Sequence, residues 1–345
     1  MSNIRIPRIT RLFALIGSVA VLAATAACGG STGETDNADS ELPLIYGVFA
    51  TPLEEPWDGA IHAALVEAEE DGVIRYKHVD NLNTADKMER GLRDIIASDK
   101  PDAIVGDAFA AEEAVRKVAA EFPDIPFAFG SGEKEVAPNM SVFDNWLQDP
   151  AYLAGMLAGG ITKSNTIGVV GAMPIPEVNR IVNAFIEGAK SVNPDVVVKV
   201  SFINSFFDPA AAKEAANAQI SAGADVMFAE RDGVIAAAKE ANIPVIGMMV
   251  DQKEDAPGHV MTSLIWKMRP TIDAVIEQAK SGPQALNLGE FSFMKVGGSE
   301  LAPINSDVPG GIPAELIAKV EAKKADIMSG AFVTPVNEDA PKGSN

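Results

Sequence analysis

The sequence predicts an α/β fold built as two doubly wound lobes joined by a hinge, with a ligand cleft between them. Three observations carry this. From Leu42 onward apolar runs alternate with amphipathic stretches, the pattern of parallel sheets covered by helices. The alternation restarts at Thr166, so a second lobe of similar design follows the first. Several junctions, "PIPE" and "FDPA" among them, put proline near a helix start, where its missing N–H costs nothing and its φ is already helical.

In order, the first lobe reads as strand "LPLIYGVFA", helix from about Pro56, strand "IRYKHVD", helix from about Thr84 and strand "DAIVGDAF". A helix over "AEEAVRKVAAEF" and strands "PFAFGSG" and "MSVFDN" complete it. The second lobe starts with "TIGVVGA", a helix from Pro176, "VVVKVSFIN", a helix from Pro209, "DVMFAE", a helix from about Asp232 and "PVIGMMVD". Then come strand "HVMTSLIW", a helix over "PTIDAVIEQAK", a Gly-rich, hairpin-like stretch "GEFSFMKVGGSELAPI" and a helix from Pro313 to about Met328. The expected division is 42–145 plus about 252–285 for the N-terminal lobe and about 146–251 plus 286–335 for the C-terminal lobe. Residues 336–345 read as a loose tail. In open α/β sheets ligands bind outside the carboxyl ends of the strands, which places a ligand where the two lobes face each other.

The N-terminus reads as an export signal over residues 1–27: Arg5, Arg8 and Arg11 precede the apolar "LFALIGSVAVLAATAA". Cys28, the chain's single cysteine, follows small residues and precedes "GGSTGETDNADS". This is similar to the lipobox of bacterial lipoproteins, with Thr25 where leucine is usual. It implies a lipid anchor at Cys28 and a flexible tether over residues 28–41. The other reading is cleavage after "ATA" with Cys28 left as a spare thiol. Either way the chain is exported.

With 48 acidic against 28 basic residues the net charge is −20, which repels phosphate backbones and argues against nucleic acid. The three histidines, His62, His78 and His259, are far apart in the sequence and match no metal-ligand spacing. No metal and no cofactor is expected. Walker A, H-E-x-x-H and strand-linked G-x-G-x-x-G motifs are absent. "GVVGAMP" reads as a tight strand-to-helix turn, and the acidic pairs Glu54/Glu55 and Glu69/Glu70 as solvated. No catalytic residue is proposed.

Four segments carry a family resemblance: "PWDG", "GVVGAMPIPEVNRIVNAFIEGAKSVNPDV", "SFFDPAAAKEAANAQISAGADVMFAE" and "GMMVDQ". Together, over roughly residues 42–330, they resemble the basic membrane protein family, the purine nucleoside receptor-like lipoproteins of ABC importers. The resemblance implies a type I periplasmic-binding-protein fold and a ligand held between the lobes. It also implies delivery to a permease and an ATPase on separate chains, and no catalysis.

By position, the family's aromatic at the first strand-to-helix junction corresponds to Trp57, followed by Asp58. Here an exposed indole face would serve as a stacking platform, with core packing as the other reading, and Asp58 would cap the helix. Phe206 matches a second family aromatic. One of Phe206 and Phe207 should point to the core, because neighbours on a strand face opposite ways. Stacking between aromatics suits a flat heterocycle and contributes about 1–3 kcal/mol per base. Asp251 matches the acidic residue that accepts from ribose hydroxyls. Asp107 either reads a purine edge or shapes its turn. Phe109 lies by the cleft or in the core.

Asn179 and Asn183 share a helix face, which leaves at least one of these candidate ligand contacts beside the cleft mouth. Glu177 either meets the helix dipole or contacts a ligand amine. Glu230, with Arg231, stands where the family usually has a small Gly-rich turn, and reads as altered specificity or as a salt bridge. Trp266 replaces the lysine that many relatives pair with ribose. The expected ligand is therefore a purine-like heterocycle, free base or nucleoside, bound by an exported, lipid-anchored and monomeric receptor. A sensing lipoprotein of the same fold, or a receptor for another flat heterocycle or a sugar, is the alternative.

Overall fold

The computed structural model describes residues 42–109 and 111–342. The signal, the tether and Cys28 lie outside the described residues. The first sheet has the order β2-β1-β3-β4-β5, all parallel. Its strands are β1 (Leu44–Val48), β2 (Arg75–Val79), β3 (Ala103–Asp107), β4 (Phe127–Gly130) and β5 (Met140–Phe143). Helix α1 (Pro56–Glu70) packs on one face, and α2 (Ala85–Asp99) and α3 (Glu112–Glu121) pack together through the other core.

The chain then enters α4 (Gln148–Ile161) and the second sheet, ordered β11-β10-β9-β8-β6-β7. The strands are β6 (Thr166–Gly171), β7 (Val197–Phe202), β8 (Val226–Ala229), β9 (Val245–Met249), β10 (Val260–Trp266) and β11 (Ser299–Leu301). Helices α4, α5 (Pro176–Val192) and α9 (Ala314–Ser329) gather on one side, and α6 (Pro209–Ser221) with α7 (Val234–Glu240) on the other. The remaining helix, α8 (Arg269–Ser281), returns to the first lobe and packs on α1 and β3.

The segment 252–285, expected with the first lobe, is therefore divided: β10 pairs with β9 in the second sheet, and only α8 lies on the first. The hairpin-like stretch is not a hairpin. It forms two short 3-10 turns before β11 crosses over to pair antiparallel with β10. The return from α8 is tied to β5, where Leu288 N–H donates to Val142 O at 2.7 Å and Val142 N–H to Leu286 O at 2.9 Å. Chain segments thus cross between the lobes after β5, after β10 and after α8. A single apolar core runs from Ile45 and Phe49 in the first lobe to Ile167 and Val169 in the second.

Nor is the tail loose as far as Asp339. Asn179 Nδ2 donates to Glu338 O at 2.9 Å, and Asn183 Nδ2 to Asn337 O and Asp339 O at 2.9 and 2.8 Å. Arg180 pairs with Glu338 at 3.0 Å and also with Asp144. Phe332 packs against Tyr152 with ring centroids 5.0 Å apart. These contacts fasten the C-terminal segment along α4 and α5.

Helix α4 is buried on every face from Gln148 to Gly159, and it meets α5 backbone to backbone. A Cβ on Gly155 would stand 2.0 Å from Phe185 O, and one on Gly188 2.0 Å from Tyr152 O. Only glycine fits a crossing this close. Gly155→Ala is expected to destabilise the protein by about 1–3 kcal/mol, as overpacking does, read as a lower urea unfolding midpoint. An unchanged midpoint would contradict the crossing.

Candidate functional site

The carboxyl ends of the strands in the two lobes face each other across a cavity of about 330 Å³. The first lobe lines it with Ala50 and Thr51 after β1, Glu55 and Trp57 at the start of α1, Asn83 before α2, Asp107 and Phe109 at the end of β3, and Ser131 after β4. The second lobe adds Met173 after β6, Glu177 in the first turn of α5, and Asn204 to Phe207 after β7. Phe109 and Phe206 meet across the lobes edge to face, centroids 4.7 Å apart and planes at 70°, a favoured aromatic geometry. Phe207 stands at the lip, 41% exposed.

At the start of α1 the cap is Glu55, not Asp58. Glu55 Oε2 accepts from the Trp57 and Asp58 N–H groups at 2.9 and 3.0 Å, satisfying two of the free donors of the first turn. Asp58 turns back to accept from Thr51 N and Oγ1 at 2.9 and 2.6 Å. Far from being solvated, Glu55 is 2% exposed. Trp57 is also buried, at 6%: it stacks on Phe143 with centroids 5.8 Å apart and tilts against Trp266 at 5.0 Å. Its Cη2 lies 1.9 Å from where a Cβ on Gly130 would be, so β4 needs glycine there. Trp57 walls the cavity as a packed side chain rather than as an exposed platform, and its Nε1–H has no partner among the described residues.

One buried cation links the two lobes here. Arg231, directly after β8, is buried and holds Glu230 with Nε and Nη2, at 3.1 and 2.9 Å. Its Nη1 donates to Phe206 O at 2.9 Å and reaches across to Glu55 Oε1 of the first lobe at 3.4 Å. The guanidinium also lies 5.5 Å from the centre of the Phe206 ring. Burial alone would lower the Arg231 pKa, but Glu230 and Glu55 hold it above its ordinary value. Burial raises Glu55 and Glu230 too, opposed in each by Arg231.

The other carboxyls have less support. Burial, with Asp58 adding to it, pushes Asp107 well above the ordinary range. Burial moves Asp58 up to about 7, and burial together with Asp144 moves Glu177 up to about 8. Asp107 Oδ1 accepts from Phe109 N at 2.8 Å, closing the turn after β3. Glu177 has no hydrogen bond among the described residues, although it is 7% exposed.

The cavity thus brings together Trp57, Asp107, Phe109, Glu177, Phe206 and Phe207 from the sequence expectations. Asp58 and Glu230 stand just behind it, bound to Thr51 and Arg231. Asn179 and Asn183 are elsewhere, spent on the C-terminal segment. Asp251 is exposed and lines a separate groove with Trp266, Lys267 and Arg269. Trp266 is buried behind Trp57, its Nε1 donating to Ser292 Oγ at 3.0 Å. Glu55, Thr51, Asn83, Ser131, Asn204 and Ser205 are cavity residues that the sequence reading missed. A carboxylate directly before a proline at the first helical position was the signal for Glu55. Ser131 and Asn204 take positive φ at 57°, a strand-end conformation that no residue pattern announces. His62 and His78 do come together, centroids 4.8 Å apart, but no group of three or more metal-ligating side chains occurs among the described residues.

The family described as ABC transporter substrate-binding protein PnrA-like, Bmp, matches residues 52–309. A purine-binding protein of Brucella abortus is 30% identical over 281 residues, covering 79% of this chain and 77% of the relative. A nucleoside-binding ABC transporter protein of Lactococcus lactis is 26% identical, covering 67% and 70%. A Haloferax volcanii protein with the provisional name of ABC transporter glucose-binding protein is 37% identical over 182 residues, 51% of this chain and 46% of its own length. Among solved structures, ABC transporter solute-binding proteins from Conexibacter woesei (TM-score 0.68, 23% identity, 85% of this chain and 99% of that one) and Aeropyrum pernix (0.71, 20%, 86% and 94%) share the fold. It is the type I periplasmic-binding-protein fold.

Arg231→Met leaves Glu55 and Glu230 buried without their cation. The expected loss is about 3–5 kcal/mol, as for a broken buried ion pair, measured by urea unfolding. A loss below about 1 kcal/mol, the scale of an exposed pair, would contradict the bridge.

Proposed function

We propose that this chain, which belongs to the Bmp family of PnrA-like ABC transporter substrate-binding proteins, traps a purine-like heterocycle in its interlobe cavity, free base ahead of nucleoside. Proteins of this family receive solute outside the cytoplasm for an ABC importer and are not enzymes. The observation that carries the ligand reading is the pairing of aromatic walls with unspent acceptors: Phe109, Phe206 and Trp57 around Asp107 and Glu177. Flat rings stack on aromatics whatever their edge chemistry, and carboxylates accept the N–H groups that purines carry.

Two features favour the base. At about 330 Å³ the cavity is at the small end of ligand pockets, which run from about 300 to 1,000 Å³. Asp251 and Trp266, the positions tied by resemblance to ribose, line the other groove. Relatives named for purine and nucleoside binding support the class. The chain would be held to the membrane by a lipid on Cys28, act as a monomer, and pass its ligand to a permease and ATPase on separate chains. No described helix is long and apolar enough to cross a membrane. A second reading, a hexose, draws on the Haloferax volcanii relative, since aromatics and carboxylates also suit sugar hydroxyls.

Calorimetric titration with adenine, guanine, adenosine, inosine and glucose tests this, with heat from the bases as the expected result. Tight nucleosides with silent bases would overturn the preference for the base. Silence from all four purines would overturn the purine reading, and glucose heat alongside that silence would establish the hexose.

A further inference from the structure

The acceptors of the cavity are arranged across the closure. Asp107 comes from the end of β3 in the first lobe and Glu177 from the first turn of α5 in the second, and both line the same space. Each is more than nine-tenths buried. Asp107 uses Oδ1 on the Phe109 N–H, which leaves its other oxygen without a hydrogen bond among the described residues, while Glu177 has both oxygens unspent. No lysine, arginine or histidine is among the lining residues.

The nearby cations are bonded to other groups, although Arg180 Nε has no partner among the described residues and both arginines oppose the rise of Glu177. Arg231 serves Glu230, Glu55 and Phe206 O, and Arg180 serves Asp144 and Glu338 while lying 4.2 Å from the Trp146 ring centre. Around the pair the remaining charged groups are Glu55 and Asp58 on α1, Glu230 after β8 and Asp144 after β5, all carboxylates. A ligand entering this space meets acceptors from both lobes and a cationic donor from neither.

On the reading that the ligand is a purine, we propose that Asp107 and Glu177 are specificity-determining residues that select amino-bearing purines over their oxo counterparts. An exocyclic amine donates to a carboxylate in a charge-assisted hydrogen bond. A carbonyl at the same place sets acceptor against acceptor. It is tolerated only if the carboxyl keeps a proton to donate. Burial holds Glu177 up at about 8 against the opposing pull of Arg180 and Arg231, so the selectivity belongs to the ionised form, which a ligand amine stabilises, and is expected at and above about pH 8. Adenine and hypoxanthine, and guanine and xanthine, differ by this exchange of amine for carbonyl, with the neighbouring ring nitrogen gaining a hydrogen in the oxo base.

The test is calorimetric titration of these four bases at about pH 8, where the ionised Glu177 is populated, on the wild-type chain and on the Glu177→Gln and Asp107→Asn variants. An amide presents a donor as well as an acceptor. The wild type is expected to bind adenine and guanine about tenfold or more tighter than hypoxanthine and xanthine, the scale of a hydrogen bond to a charged group. At least one variant is expected to bring the ratio close to one. Ratios are read on one folded protein at a time, so a loss of stability does not mimic the effect. Equal binding of amino and oxo bases by the wild type, or ratios unchanged in both variants, would overturn this selectivity while leaving the purine reading in place. Silence from all four would overturn both.

Discussion

The structure of the site depends on how one buried guanidinium is shared. Arg231 belongs to the second lobe, yet it reaches Glu55, the residue that caps the first helix of the opposite lobe. An uncompensated charge in such a place costs several kcal/mol, so Arg231 and its carboxylates hold one another in position. Glu55 in turn fixes the N–H groups of Trp57 and Asp58, and Trp57 fixes the aromatic floor with Phe143 and Trp266. Through Phe206 O the same guanidinium holds the ring that meets Phe109 from across the cleft. Helix cap, indole wall and cross-lobe aromatic contact are thus linked through one side chain.

The second consequence is electrostatic. Arg231 is committed to Glu230 and Glu55, so no cation is bonded to Asp107 or Glu177; burial raises both, with Arg180 and Arg231 opposing the rise at Glu177. Asp107 Oδ2 and both oxygens of Glu177 accept no hydrogen bond among the described residues. On the proposed reading, a solute that brings N–H groups would satisfy them from both lobes at once, and so would have differential affinity for this arrangement, the requirement for any ligand that shifts a conformational equilibrium.

Much of the fold was legible in the sequence because βα junctions carry local marks. Pro56, Pro176 and Pro209 stand at or next to the first helical position of α1, α5 and α6, where proline is expected. Helix α4 lacked a signal: it is buried all round, so no amphipathic period announces it. Assignment of β10 to a lobe failed for another reason, since strand character is local but sheet partnership is not. The site followed the same rule. Trp57, Asp107, Phe109, Glu177 and Phe206 sit at strand ends or helix starts and were found there. Asn179 and Asn183 share a helix face as read, but that face is taken by residues more than 150 positions away. Glu55 and Arg231 are separated by 176 residues, and neither alone announces a bridge.

The central claim is that the acceptor-lined cavity, and not the groove beside Asp251 and Trp266, is where solute is held. A crystal structure of the protein with adenine tests it most directly. The account predicts a planar ring against Phe206 in the space walled by Trp57, with N–H groups directed to Asp107 and Glu177 and the bridge from Arg231 to Glu55 intact. A ring seated against Asp251 and Lys267, with the cavity between Asp107 and Glu177 holding only solvent, would contradict it.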